Sequence, residues 1–325
     1  MPAQQVIMAA VIDSARVDYD TAHVIEARYF QRLLLDQVAR NMMTTFFVQM
    51  NQLDAGASRP DRIDRTDVTR LGILGAGVMG AGIAFTAAKA GIEVVLKDLN
   101  QENAEKGKDY ASAACEKNRR IDEMQANQIL ARIHPTAEVA DLAGCDLVIE
   151  AVFENREVKA AVTKETEAVL GETAVFASNT SALPITELAW ASVRPEQFIG
   201  MHFFSPAEKM PLVEIITGEK TSDEALARAF DLAQKLGKKP IVVRDAPGFF
   251  TTRVIGETIR ARLESLRERI PVVADVRGLG AMIAMELLHD DDPERPATEI
   301  TKRIVQGCLE RGLLIITAGI HANVI

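Results

Sequence analysis

The chain has 325 residues, 48% hydrophobic and 26% charged, the composition of an ordinary folded protein and not of a disordered, collagenous or disulfide-stapled one. Acids outnumber bases 46 to 37, for a net charge of −9, and no basic run exceeds a pair such as Arg119-Arg120, Lys238-Lys239 or Lys302-Arg303. Nucleic acid is therefore not an expected partner. Cys115, Cys145 and Cys308 form no C-x-x-C, so neither a metal site nor a disulfide framework is indicated, and a reducing, cytoplasmic setting fits.

Val6 to Ile12 is apolar but follows no basic residue, so it does not read as a signal peptide. No uninterrupted apolar stretch is long enough to span a bilayer. Residues 20–52 read as one long helix, because Phe30, Leu34, Val38, Met42 and Phe46 recur at i+4 beside Leu35, Ala39, Met43 and Phe47. So wide an apolar face implies packing on another domain or subunit, such as a second copy of the chain. Residues 54–60, with Gly56 and Pro60, break the period as a linker.

From Thr69 to Asp245 short β-rich runs alternate with helical stretches, the signature of a mostly parallel α/β sheet. The runs are 71–74, 93–97, a weak one near Ile133, 147–152, 174–177, 198–203, 212–216 and 240–243. Helices are expected at 79–90, 102–132, 156–170 and 223–236, with Gly91 and Gly237 ending the first and last. After Pro247-Gly248 comes a helix with Ile255, Ile259, Leu263, Leu266 and Ile270 on one face. Strand-like runs at 282–288 and 313–317 then flank a helix over 299–311.

Gly75-Ala76-Gly77-Val78-Met79-Gly80 is a G-x-G-x-x-G placed between the first strand and first helix of this region. Gly75 permits a tight turn, Gly77 lets backbone approach a pyrophosphate, and Gly80 allows close helix packing. The next strand delivers Asp98 about 20 residues on, where a carboxylate accepts hydrogen bonds from an adenosine ribose and repels a 2′-phosphate. NAD is the cofactor this implies. The expected fold is thus α/β with a Rossmann-type, mostly parallel sheet, preceded by a long helix and followed by a small α+β segment. The divisions are a helical region at 1–66, a dinucleotide-binding domain at 67–246 and a C-terminal segment at 247–325.

An enzyme that oxidises an alcohol with a nicotinamide needs a base for the hydroxyl proton, and histidine titrates in the right range. Of the five histidines, His23, His134, His289 and His321 sit in unpromising settings. His202 ends the strand 198–203, where strand termini meet the cofactor crevice. Twelve residues on, Glu214 lies inside the apolar run 212–216, and a carboxylate there requires a partner, for which a histidine on a neighbouring strand is suited. Ser178-Asn179-Thr180-Ser181 follows another strand and offers polar groups to orient a hydroxyl or carbonyl.

Residues 69–254 closely resemble the NAD-binding domain of the 3-hydroxyacyl-CoA dehydrogenases, through LGILGAGVMGAGIA, LKD, DLVIEAVFENREVK, ASNTSALPI, FIGMHFFSP, MPLVEII and DAPGFFTTR. The preceding ARVDYDTAHVIEARYF and GASRP look like the connection leading into that domain in multifunctional fatty-acid oxidation proteins. The resemblance implies NAD-dependent oxidation of a 3-hydroxyacyl-CoA to a 3-oxoacyl-CoA. His202 would be the base, Glu214 its orienting partner and Ser181 a hydrogen bond to the substrate oxygen. Asn179 would line the site, and Glu154 and Lys159 would sit by the nicotinamide ribose. Thr252 stands where that family often has an asparagine. From about Gly256 the helical domain of that family does not follow. GETIRARLESLRERIPVVADVRGLGAMIAMELL and CLERGLLIITAGIHANVI are similar instead to the small C-terminal domain of 4-aminobutyrate-type aminotransferases, which makes the chain a chimera joined near Val254-Ile255-Gly256. Two alternatives stay open: an NAD-binding protein impaired in turnover, and a hydride-transfer enzyme for another small hydroxy acid.

Overall fold

The computed structural model describes residues 2–325, which form two compact units, one ending at Asp61 and one spanning Arg62–Ile325. The first unit is helical. It contains α1 (Pro2–Ser14), α2 (Tyr19–Leu35), α3 (Gln37–Met43), a π-helical turn at Thr44–Gln49, and α4 (Met50–Asp54).

The single helix expected over 20–52 is therefore interrupted. Asp36 is the reason: its backbone is extended at φ −74° and ψ 133°, and its side chain accepts from the Val38 and Ala39 N–H groups. An aspartate that caps the next helix offers the backbone an alternative to continuing the previous one. The i+4 apolar rows run straight through this break, so periodicity alone does not reveal it. Helix α1 was not expected either, and α2 and α3 contain no buried residue.

The second unit is built on an eight-stranded sheet. Its strands are β1 (Arg70–Leu74), β2 (Glu93–Lys97), β3 (Ile133–Thr136), β4 (Leu147–Glu150), β5 (Val175–Ser178), β6 (Phe198–Phe203), β7 (Leu212–Thr217) and β8 (Lys239–Arg244). Their spatial order is β3-β2-β1-β4-β5-β6-β7-β8. The first six run parallel, and β7 and β8 run opposite to them. Each expected strand of this region is present, because strands covered on both faces read as near-continuous apolar runs. Leu71, Ile73, Ile149, Ala177, Ile199 and Ile215 are completely buried.

Helices α5 (Val78–Lys89), α6 (Gln101–Lys117), α7 (Glu123–Ala131), α8 (Arg156–Glu167), the single turn α9 (Ile185–Leu188) and α10 (Asp223–Lys235) connect the strands. Gly91 and Gly237 follow α5 and α10 at φ +87° and +70°, the left-handed conformation expected of them. The helix expected over 102–132 is two helices. Asp122 and Gln125 close a capping box, side chain to backbone in both directions, which starts α7 afresh.

The polypeptide reverses at strands β1 and β4, which neighbour each other while their crossover helices leave in opposite senses. This switch point opens a crevice at the strands' carboxyl ends. After β8 come α11 (Thr251–Arg267), an antiparallel hairpin of β9 (Val273–Leu279) and β10 (Met282–Leu287), and α12 (Thr298–Leu309). Val273, Val276, Leu287 and Ala297 form its small core. Strand β9 was not foreseen. The strand expected at 313–317 does not form; instead Met285 exchanges backbone hydrogen bonds with Ile325 at 2.8 and 2.9 Å, so the last residues line β10.

The hairpin turn rests on α11 at Gly256, where an added Cβ would lie 1.7 Å from the Gly280 carbonyl oxygen. Gly256→Ala should therefore unseat the hairpin, read as faster limited proteolysis within 256–325 while the 70–246 sheet keeps its protection. Equal cleavage rates in both proteins would show that this contact supports nothing.

Candidate active site

The glycine loop joins β1 to α5 at the crevice. Gly75 has φ +93°, and a Cβ there would meet the Ala151 carbonyl oxygen at 2.7 Å. A Cβ on Gly80 would fall 1.8 Å from the Gly75 carbonyl oxygen, so the third glycine is what lets α5 pack on its own loop. Gly77 is different. It caps α5, and a Cβ there would meet nothing within 4 Å. Its bare backbone faces open space at a helix N-terminus, which fits an approaching pyrophosphate.

Asp98, just past β2, is half-buried and braces this loop: Oδ2 accepts from the Ala76 N–H at 2.6 Å, and Oδ1 from Leu99 N–H and Asn103 Nδ2. Sequence reasoning reserved this carboxylate for a ribose. The structure gives it a loop-holding task.

At the ends of β4 and β5 lies a chain of polar contacts. Glu150 closes β4, where Lys159 Nζ donates to both of its oxygens at 2.8 and 3.0 Å, Ser178 Oγ at 2.7 Å and Val152 N–H at 2.8 Å. The Lys159 ammonium is also 3.1 Å from Glu154 Oε2. Glu154 Oε1 in turn accepts from Thr180 Oγ1 at 2.5 Å and from Ser181 N–H at 3.0 Å. Burial pushes the Glu154 carboxyl up, but the Thr180 hydroxyl and the Lys159 charge outweigh it and hold it below its ordinary value. Glu154, Lys159 and Ser181 thus come together. Glu150 was missed, although a carboxylate ending the apolar run 147–149 carries the same signal that singled out Glu214, and Ser178, one of the polar groups expected to orient a hydroxyl or carbonyl, donates to it instead.

His202 and Glu214 are directly opposed residues of the antiparallel pair β6–β7. His202 Nδ1 lies 2.7 Å from Glu214 Oε2, and Glu214 is completely buried. The other oxygen, Oε1, accepts from Thr251 N–H at 2.7 Å and Phe250 N–H at 3.2 Å, at the start of α11. Phe249, buried and at φ +50°, turns the backbone so that these two groups face the carboxylate. A bulky residue in that conformation is strained by roughly 1–2 kcal/mol, which the surrounding contacts must offset. Among the described residues His202 Nε2 has no protein partner, and the ring lies against Phe204, at 4.5 Å between centroids, and Phe249 at 5.8 Å. Asn179 Oδ1 accepts from the Phe203 N–H at 2.8 Å, which ties the end of β5 to the residue after His202. The helix after Gly248 was expected but its donation to Glu214 was not, since backbone donors leave no residue-type signal.

This arrangement is an imidazole with one nitrogen fixed by a buried carboxylate, at the same sheet edge as a glycine loop suited to an anion. Burial raises the Glu214 carboxyl, but the bonds from His202 and Thr251 and the charge of His202 outweigh burial and hold it below its ordinary value. Among the described residues no group of three or more His, Cys, Asp or Glu could hold a metal, and no helix is long and apolar enough to cross a membrane.

Residues 70–246 match the family model described as 3-hydroxyacyl-CoA dehydrogenase, NAD binding domain. The fatty acid oxidation complex subunit alpha of Psychrobacter cryohalolentis is 40% identical over 257 residues, 78% of this chain and 36% of that protein. The chain thus spans about a third of the length of the curated relatives it matches. The crystal structure of (S)-3-hydroxybutyryl-CoA dehydrogenase from Ralstonia eutropha is 36% identical, with a TM-score of 0.61 over 64% of this chain and 76% of that one. The 3-hydroxybutyryl-CoA dehydrogenase of Escherichia coli K12 is 32% identical, with a TM-score of 0.61 over 64% of this chain and 45% of that one.

A carboxyl that titrates below its ordinary value in the fold stabilises the protein fully above the ordinary carboxylate range, and this contribution is lost as pH falls through the lowered value. Denaturant unfolding of the parent should therefore weaken from about pH 4 downward, whereas Glu214→Gln should show a shallower decline over the same window. Equal slopes would mean that Glu214 is not the group being titrated.

Proposed function

Because the chain belongs to the 3-hydroxyacyl-CoA dehydrogenase NAD-binding domain family, we propose that it oxidises a 3-hydroxyacyl-CoA to the 3-oxoacyl-CoA with NAD, as in fatty-acid β-oxidation. The observation that carries this reading is the His202–Glu214 pair at the end of β6, in the same crevice as the glycine cradle. Gly75, Gly77 and Gly80 would hold the pyrophosphate and Asp98 the adenosine ribose, with Glu154 and Lys159 by the second ribose. Bound NAD would supply the two-electron acceptor.

His202 would take the 3-hydroxyl proton on Nε2 while Glu214, fixed by two backbone N–H groups, stabilises the resulting imidazolium and keeps Nδ1 protonated. Ser181 would donate to the substrate oxygen, and Asn179 would hold the β5 and β6 termini at the spacing the site needs. Glu154, bonded to Ser181 N–H, fixes the loop that carries that hydroxyl.

We divide the chain functionally at 66/67 and 246/247 and assign it to the cytoplasm. We assign 256–325 to an aminotransferase-like C-terminal domain, fused where the family has a helical one. The hairpin and helix found there support that assignment, and they favour a second reading, an NAD-binding protein with little turnover because its cleft is not closed. The exposed apolar side chains of 20–52, among them Phe30, Phe46 and Phe47, support a second copy of the chain as the partner of that region.

Oxidation of NADH by acetoacetyl-CoA tests the reaction. The parent should turn over, and His202→Ala should lose about 10²–10⁴-fold in kcat/KM with NADH affinity retained. NADH binding without turnover in the parent would overturn catalysis in favour of the second reading. Turnover of free acetoacetate in preference to the thioester would reassign the substrate to a small hydroxy acid.

A further inference from the structure

Two carboxylates share one ammonium at the ends of β4 and β5. The side chains of Lys159 and Glu150 are 3% and 1% exposed, and their contacts with each other and with Glu154 form one connected group. Its formal charge is −1. On α8 the adjacent Arg156 is paired with Glu187.

The dinucleotide-binding loop and Asp98 lie at β1 and β2, so the adenosine half of a dinucleotide belongs on that side of the switch point. The nicotinamide half belongs on the side of β4, β5 and β6, where this cluster and His202 lie. The oxidised nicotinamide ring is a cation and the reduced ring is neutral, while the rest of the molecule carries the same charge in both forms.

We propose that the Glu150–Lys159–Glu154 cluster selects the oxidised cofactor, by presenting one uncompensated negative charge to the half of the dinucleotide that is cationic only in that state. This rests on the NAD reading above. Glu150 is the residue that sets the count. Without its charge, Lys159 and Glu154 cancel, and this cluster no longer distinguishes the two redox forms by charge. The buried setting matters, because a charge enclosed by protein is screened less than one in water. Glu150 is thereby a specificity-determining residue that touches neither reacting atom.

The measurement is calorimetric affinity of the full chain for NAD⁺, NADH and ADP-ribose, which lacks the nicotinamide. In Glu150→Gln the ratio of the NAD⁺ to the NADH dissociation constant should rise by roughly tenfold, the order expected for one partly desolvated charge. ADP-ribose affinity should not move. Glu150→Gln combined with Lys159→Met leaves Glu154 as the only charge, restores −1, and should return the ratio toward that of the parent.

A purely structural role for Glu150 would weaken all three ligands together and would be worsened by the second substitution. Either that pattern or an unchanged ratio overturns the proposal. If Glu150→Gln does not fold, Glu154→Gln removes the same charge at a side chain 40% exposed, and an unchanged ratio there is equally decisive. Failure of the parent to bind NADH and ADP-ribose at all would instead overturn the cofactor reading.

Discussion

The buried carboxylate of Glu214 is the constraint on which the active-site half of the molecule depends. A carboxylate in the middle of an apolar strand costs several kcal/mol unless its oxygens are satisfied, and here each oxygen draws on a different element. One meets His202 across the β6–β7 pair, and the other meets the N–H groups of Phe250 and Thr251. The first contact requires antiparallel pairing in this register, because a shift of one residue would turn Glu214 to the opposite face of the sheet. The second requires the turn through Gly248 and Phe249, both at positive φ. Reversal of β7, the strained turn and the start of α11 are therefore parts of one arrangement.

That arrangement ends at Thr251, five residues before the texture of the chain changes near Gly256. The donors are backbone groups at the first positions of a helix, and they are present whatever side chains the helix carries later. A different C-terminal segment can follow without disturbing the His202–Glu214 pair, provided that α11 still begins where it does.

The strands of the sheet were legible because strands buried on both faces leave continuous apolar runs, and the cofactor loop because three glycines occupy positions that no Cβ can enter or should fill. His202 and Glu214 were legible as a polar pair in apolar surroundings. Glu150 obeys the same logic and was overlooked because no histidine marks its partner. Its lysine lies nine residues later on a helix. Helix ends were less legible: Asp36 and Asp122 act through local capping bonds that the apolar period does not register. Strand β9 was hidden by Asp275 and Arg277, which pair with each other on its exposed side at 2.6 Å. The opposite error occurred at 313–317, where Leu313, Leu314 and Ile316 look like a strand but stay 56%, 79% and 78% exposed. An apolar run becomes a strand only if an edge is available to receive it, and residues 323–325 already line β10.

The chain carries a net charge of −9, and four carboxylates, Asp98, Glu150, Glu154 and Glu214, stand at or near the carboxyl edge of its sheet. An anionic dinucleotide is compatible with this only because phosphate and carboxylate are handled separately. A pyrophosphate at the glycine loop would be met by neutral backbone N–H groups and the positive end of α5, which need no basic side chain. Each carboxylate is hydrogen-bonded by its own neighbours: Asp98 by the loop itself, Glu150 and Glu154 by their shared Lys159 and by hydroxyl and N–H donors, and Glu214 by His202 and α11. The glycines support that separation, since a side chain at Gly77 would project into the open space at the N-terminus of α5 where bare backbone is presented.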